Sequence, residues 1–178
     1  MFYSGFFAIV AAYLVTLMDR SLNGYTKVLG FLAFFWRLAL TTATGSIFGF
    51  LVARTAYGSA LMAPMFIIYS FAYGLAAFLV VQGAMYAWNK LQFDAHIFAR
   101  MKNLLALFVG AALYFTAVMH LTNLYFAKQI DYERFLLLDG GVYTMAFWLG
   151  QVLIGGILPL ALIFSPVGKS QGGVIVAP

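Results

Sequence analysis

The chain has 178 residues, 65% of them hydrophobic and 8% charged, and its mean hydropathy is +0.97. A soluble domain carries about 25% charged residues, and one this small has too little interior to hide so much apolar surface; lipid is the solvent implied, and disorder is excluded. The net charge of +5 comes from ten Lys and Arg against five Asp and Glu. These basic residues are dispersed singly, which speaks against a nucleic-acid-binding patch, and the absence of cysteine removes disulfides, the usual structural zinc sites and cysteine-ligated iron–sulfur clusters.

Crossing about 30 Å of hydrocarbon takes roughly 20 mostly apolar residues in a helix. Five stretches meet that need, at about 2–18, 28–53, 61–88, 103–127 and 141–165. They lack the alternation of barrel strands and are far longer than the 9–11 residues such strands need. The prediction is an all-α polytopic membrane helix bundle: one transmembrane domain over 1–178 with five transmembrane helices. The connections, about 19–27, 54–60, 89–102 and 128–140, are short, so consecutive helices are expected to be antiparallel neighbours.

Basic residues sort by side. The loops after the first and third spans, with the tail, hold Arg20, Lys27, Lys90, Arg100, Lys102 and Lys169 against Asp19 and Asp94. The opposite loops hold Arg54, Lys128 and Arg134 against Asp131, Glu133 and Asp139. An excess of Lys and Arg marks the cytoplasmic side, so the expectation is an inner-membrane protein whose first residues lie outside and whose last lie in the cytoplasm. Both ends read as cut: an apolar span opens at Phe2, and SQGGVIVAP resembles the entry to another.

Polar groups inside a span are functional candidates. Arg37 lies about nine residues into the second span, too deep to snorkel; it reads as an internal hydrogen-bonder or as part of a proton or anion path. In the fourth span Thr116, His120 and Asn123 share one helical face. His120 reads as an interhelical hydrogen-bonder or, because an imidazole titrates near neutrality, as a quinone or proton contact. A b-type haem would need two opposed histidines, and His96, in FDAHIFARMK between the third and fourth spans, belongs to the other side of the membrane. Gly45 and Gly49, and similarly Ser70 and Gly74, have the spacing of close helix approach. The hydroxyls of Thr41, Thr42, Thr44 and Ser46 are expected mostly to bond back to their own helix, and Gly155, Gly156 and Pro159 to bend the fifth span. No nucleotide-binding, metalloprotease or serine-hydrolase motif occurs.

In LTTATGSIFGFLVARTAYGSALMAPMFIIYSFAYGLAAFL a span ends in a small polar cluster, Thr42 to Ser46. A short loop then carries Arg54 and Tyr57, and Pro64 and Met65 open the next helix. This order resembles the NrfD-like, or polysulfide reductase membrane subunit (PsrC), family, with the sulfur-metabolism DsrP type nearest. The stretch from Ala117 to Phe164 resembles the family's later spans. The resemblance is to the middle and late spans of a subunit with eight to ten helices. Two features depart from the family pattern: the early spans, which supply much of the quinone pocket, are missing, and threonines around Thr42 stand where some members have a histidine.

The resemblance implies a membrane subunit of a quinone-linked respiratory oxidoreductase, with no haem or iron–sulfur cluster of its own. It would exchange electrons between menaquinone or ubiquinone and an iron–sulfur subunit on the periplasmic face. A molybdopterin enzyme, a hydrogenase or a multihaem cytochrome would lie beyond. On that reading His120, Asn123 and Arg37 are the quinone or proton residues, and Arg54 and Tyr57 belong to the docking surface. The alternative is a transporter or ion-conducting subunit using Arg37 and His120 without quinone chemistry.

Overall fold

The computed structural model describes residues 2–51, 58–89 and 94–165. The described residues are helical apart from short connections, and they form no strand. Helix α1 spans Phe2–Met18, α2 Thr26–Gly49, α3 Met62–Trp88 and α4 Ala95–Tyr125. After a short helix α5, Ile130–Arg134, the chain enters α6, Val142–Phe164. The middle of α6, Ala146–Ile157, is wound as a π-helix.

Four of these helices, α2, α3, α4 and α6, are long and apolar enough to cross a membrane. This corrects the expected count of five. With 17 residues, α1 reaches about 26 Å at 1.5 Å per residue, the lower end of what a span takes, and is not among the four. A second difference is the start of α4, which lies at Ala95 rather than near 103. The Asp94 carboxylate accepts the backbone N–H of His96 at 2.8 Å and caps the helix there, so FDAHIFARMK is largely the first turns of α4. His96 and His120 therefore stand on one helix, about 36 Å apart along its axis.

The helices pack in serial order, and the paired residues show that each neighbour runs antiparallel to the last. Tyr3 meets Thr44 while Thr16 meets Thr26, across α1 and α2. Gly45 lies against Ala63 while Phe34 packs on Phe71, across α2 and α3. Tyr69 bonds Thr116 while Phe71 stacks on Phe108 at 5.2 Å, across α3 and α4. Gly156 abuts Leu113 while His120 meets Phe147, across α4 and α6.

In lipid, apolar side chains gain little by leaving the solvent, so close backbone approach and interhelical hydrogen bonds hold a bundle together. Gly45 shows why the small residue is needed. A Cβ there would stand 2.7 Å from the Ala63 Cα, so any larger residue would push α2 off α3. Its partner Gly49 would meet the Ser59 carbonyl at 2.8 Å, whereas Gly74 faces open space. The hydroxyls of Thr41, Thr42 and Thr44 donate to the carbonyls of Arg37, Leu38 and Leu40, as their position in a helix predicts.

Two apolar clusters anchor the bundle. Leu79, Phe98, Leu105, Val109 and Ile163 fill one end between α3, α4 and α6. Met62, Met65 and Met119 fill the other. A buried polar site lies beside the second.

Candidate functional site

The site is built on the last two turns of α4 and on the segment that follows. The helix stops at Phe126, whose extended backbone (φ −87°, ψ 114°) turns the chain back. Helix α5 then lies against α4. Its return into α6 runs through Gly140 and Gly141. Gly141 has φ +56°, and a Cβ on Gly140 would strike the Phe135 carbonyl at 2.6 Å, so this turn requires glycine. Thr144 pins it by accepting from the Gly140 N–H and donating to the Phe135 carbonyl. The Trp148 indole N–H donates to the Leu137 carbonyl at 3.1 Å and ties the same segment to α6.

This architecture drives Glu133 into the bundle, where it is fully buried. One carboxylate oxygen, Oε2, lies 2.7 Å from His120 Nδ1; the other, Oε1, accepts from the Asn123 amide at 2.7 Å. Both partners are themselves buried. The ring of Phe147 meets the imidazole edge-on at 4.7 Å and closes one side. Nε2 of His120 bonds none of the described residues, which leaves it as the atom that can exchange a proton or bond a ligand. A carboxylate on Nδ1 holds the imidazole in one tautomer.

One turn earlier on α4, the Thr116 hydroxyl donates to the Ala112 carbonyl at 2.8 Å. Its oxygen lies 2.8 Å from the Tyr69 hydroxyl, which in turn lies 3.1 Å from Gln151 Nε2. The buried polar side chains among the described residues are Thr16, Thr116, His120, Asn123 and Glu133. Four of the five thus belong to one region, which is what a site looks like in a bundle that otherwise excludes polar groups.

Of the residues singled out from the sequence, His120 and Asn123 come together, with Thr116 one turn below. Arg37 stands apart. It lines a separate cleft of about 530 Å³ with Tyr3, Thr41, Thr44 and Ser70. There it donates to the Ser70 hydroxyl at 3.4 Å and lies over the Phe6 ring at 5.7 Å. Tyr69, the neighbour of Ser70 on α3, lines this cleft too. Arg54 and Tyr57 lie outside the described residues. Sequence reasoning missed Glu133, Tyr69 and Gln151. A signal for Glu133 existed: Ile130, Glu133 and Leu137 share one helical face, which places an acid on the apolar side of that segment.

A buried carboxylate–imidazole–amide cluster within antiparallel apolar helices defines a polytopic helical membrane protein with an internal polar site. The chain belongs to the NrfD family of polysulphide reductase, whose family model matches residues 1–177. It is also 28% identical over 169 residues to the Hdr-like menaquinol oxidoreductase integral membrane subunit of Archaeoglobus fulgidus. That match takes in 92% of this chain and 41% of the relative, so the chain spans less than half the length of the protein it resembles. No solved structure matches the chain.

Proposed function

We propose that the chain is the membrane subunit of a quinone-linked oxidoreductase complex, and that it exchanges electrons between menaquinone and an iron–sulfur subunit on the outer face. The observation that carries this reading is the His120–Glu133 pair, a buried proton-holding group in a span, with Asn123 fixing the carboxylate. The family membership and the menaquinol oxidoreductase relative supply the substrate class.

A quinol gives up two electrons and two protons when it is oxidised to the quinone. The chain has no cysteine to hold a cluster, so electrons leave through the partner. The protein's own task is the two protons. His120 Nε2 accepts one and releases it to water before it accepts the second, while Glu133 keeps the Nδ1 proton in place. Asn123 has no proton to give up at ordinary pH and serves to orient Glu133. The surroundings fit a carbonyl-bearing ring, being apolar and aromatic with a few convergent polar groups.

The outer side is assigned from charge. The loops after α1 and α3, together with the helix ends that flank them (Lys27 on α2, Arg100 and Lys102 on α4), carry the basic excess and face the cytoplasm, which puts α5 and the His120 end of α4 at the periplasmic side. Arg54 and Tyr57 belong to that side and contribute to docking of the iron–sulfur subunit, beyond which a further redox subunit completes the complex. Arg37 serves a distinct polar path along the cleft that it lines with Ser70 and Tyr69.

The test is purification of the complex from native membranes. An iron–sulfur protein should co-purify, and added menaquinol should reduce its clusters, read by electron paramagnetic resonance. A chain that purifies without a redox partner, from membranes whose menaquinol pool it does not oxidise, would overturn the reading in favour of transport or ion conduction.

A further inference from the structure

The hydrogen bonds around Tyr69 have a fixed direction. Thr116 gives its only hydroxyl proton to the Ala112 carbonyl, so in the 2.8 Å contact between Tyr69 and Thr116 the phenol must be the donor. Having given its proton away, the Tyr69 oxygen can only accept from Gln151, which sets the amide with its Nε2 toward the phenol. The second amide hydrogen and the carbonyl oxygen of Gln151 bond none of the described residues. The wire therefore ends on a backbone carbonyl. It is a clamp that holds an amide in one orientation.

That amide faces a cleft of about 390 Å³ between α3, α4 and α6, lined by Tyr69, Tyr73, Leu113, Gly150 and Gly155. Small-molecule sites occupy about 300–1,000 Å³. Tyr69 and Tyr73 stack at 5.9 Å and form one aromatic wall. Opposite them, Gly150 leaves open space where any other residue would put a side chain. Tyr73 is 69% exposed, so the cleft is open on that side.

We propose that this cleft seats the head group of the quinone, with Gln151 as the residue that holds one ring oxygen in both redox states. The proposal rests on the quinone reading above and places the substrate within it. An amide suits the task because it offers a donor and an acceptor: its N–H meets the carbonyl of the quinone, and its oxygen meets the hydroxyl of the quinol. The rest of the ring lies along the apolar lining, against Val109, Ala112 and Leu113 of α4.

The test is binding, read independently of turnover. Radiolabelled menadione, a naphthoquinone without a tail, is equilibrated with the full-length protein solubilised in its native complex. The wild type should bind it. Gln151→Leu should bind both menadione and its quinol about tenfold more weakly, the equivalent of losing one hydrogen bond at the upper end of its usual worth. Gly150→Leu, which grows into the open space, should abolish binding while the complex still assembles. Binding by the wild type that survives both substitutions would overturn the placement while sparing the quinone reading; the site would then lie elsewhere and lipid would cover this cleft. Failure of the wild type to bind menadione or menaquinone would overturn the quinone reading itself.

Discussion

Nδ1 of His120 lies 2.7 Å from Oε2 of Glu133, across a break in the helix and 13 residues along the chain, with both side chains buried. Neither group would be tolerable alone in such a place. Each satisfies the other, and Asn123 takes up the second carboxylate oxygen.

Glu133→Gln removes the charge while keeping the shape, and the Asn123 amide can still donate to the new side-chain oxygen. The complex should assemble normally. Menaquinol-linked turnover should fall by about 10²-fold or more, within the 10²–10⁴-fold typical of general acid–base groups. Turnover per assembled complex in isolated membranes is the measurement; a wild-type value would remove the pair from proton chemistry.

Removing one partner should destabilise more than removing both. His120→Leu leaves the Glu133 carboxylate buried without its imidazole, and breaking a buried pair in this way costs about 3–5 kcal/mol. An ordinary hydrogen bond between membrane helices averages only about 0.6 kcal/mol, so the stranded charge dominates. The double variant His120→Leu/Glu133→Leu should recover much of the loss. Thermal unfolding of the solubilised protein, comparing the single and double variants, tests this.

Gly45→Leu should separate α2 from α3, because the added Cβ alone would come within 2.7 Å of the Ala63 backbone. Gly110→Ala makes the contrast. A Cβ there meets open space, and alanine in a helix is worth roughly 0.5–1 kcal/mol over glycine. The first change should lower the unfolding temperature or prevent accumulation, and the second should hold or raise it. Equal behaviour of the two would show that the close approach does not matter.

Single cysteines introduced at Asn23 and Gln92 should react with an impermeant maleimide only after the membrane is opened, and one at Asp131 should react from outside. The natural chain has no cysteine, so each reports without background. Reaction of positions 23 and 92 from outside would reverse the assigned orientation.

Hydropathy by itself determined that this is a bundle of membrane helices, because an apolar run of that length has no other way to satisfy its backbone in lipid. Helical periodicity put Thr116, His120 and Asn123 on one face, and the Gly45–Gly49 spacing marked a close approach that the fold contains. Those signals are local, set by neighbours within a turn or two. One further local signal sets a boundary: Asp94 is a capping residue that starts α4 eight residues ahead of the expected place.

Glu133 shows what only the tertiary structure decided. In the sequence it is one of three acids in a connection that also carries two bases, Lys128 and Arg134. What buries it is the bend at Phe126 and the Gly140–Gly141 turn, which fold α5 back onto α4 and leave the carboxylate no water to reach. The same holds for Tyr69 and Gln151, 82 residues apart and joined only because α3 and α6 both pack against the same stretch of α4. Arg37 and His120 look equivalent as lone polar residues in apolar spans. The serial packing of antiparallel helices sends one to the α1–α3 cleft and the other to the α4–α6 interface, because which helix a side chain faces depends on the order of packing, which periodicity does not encode.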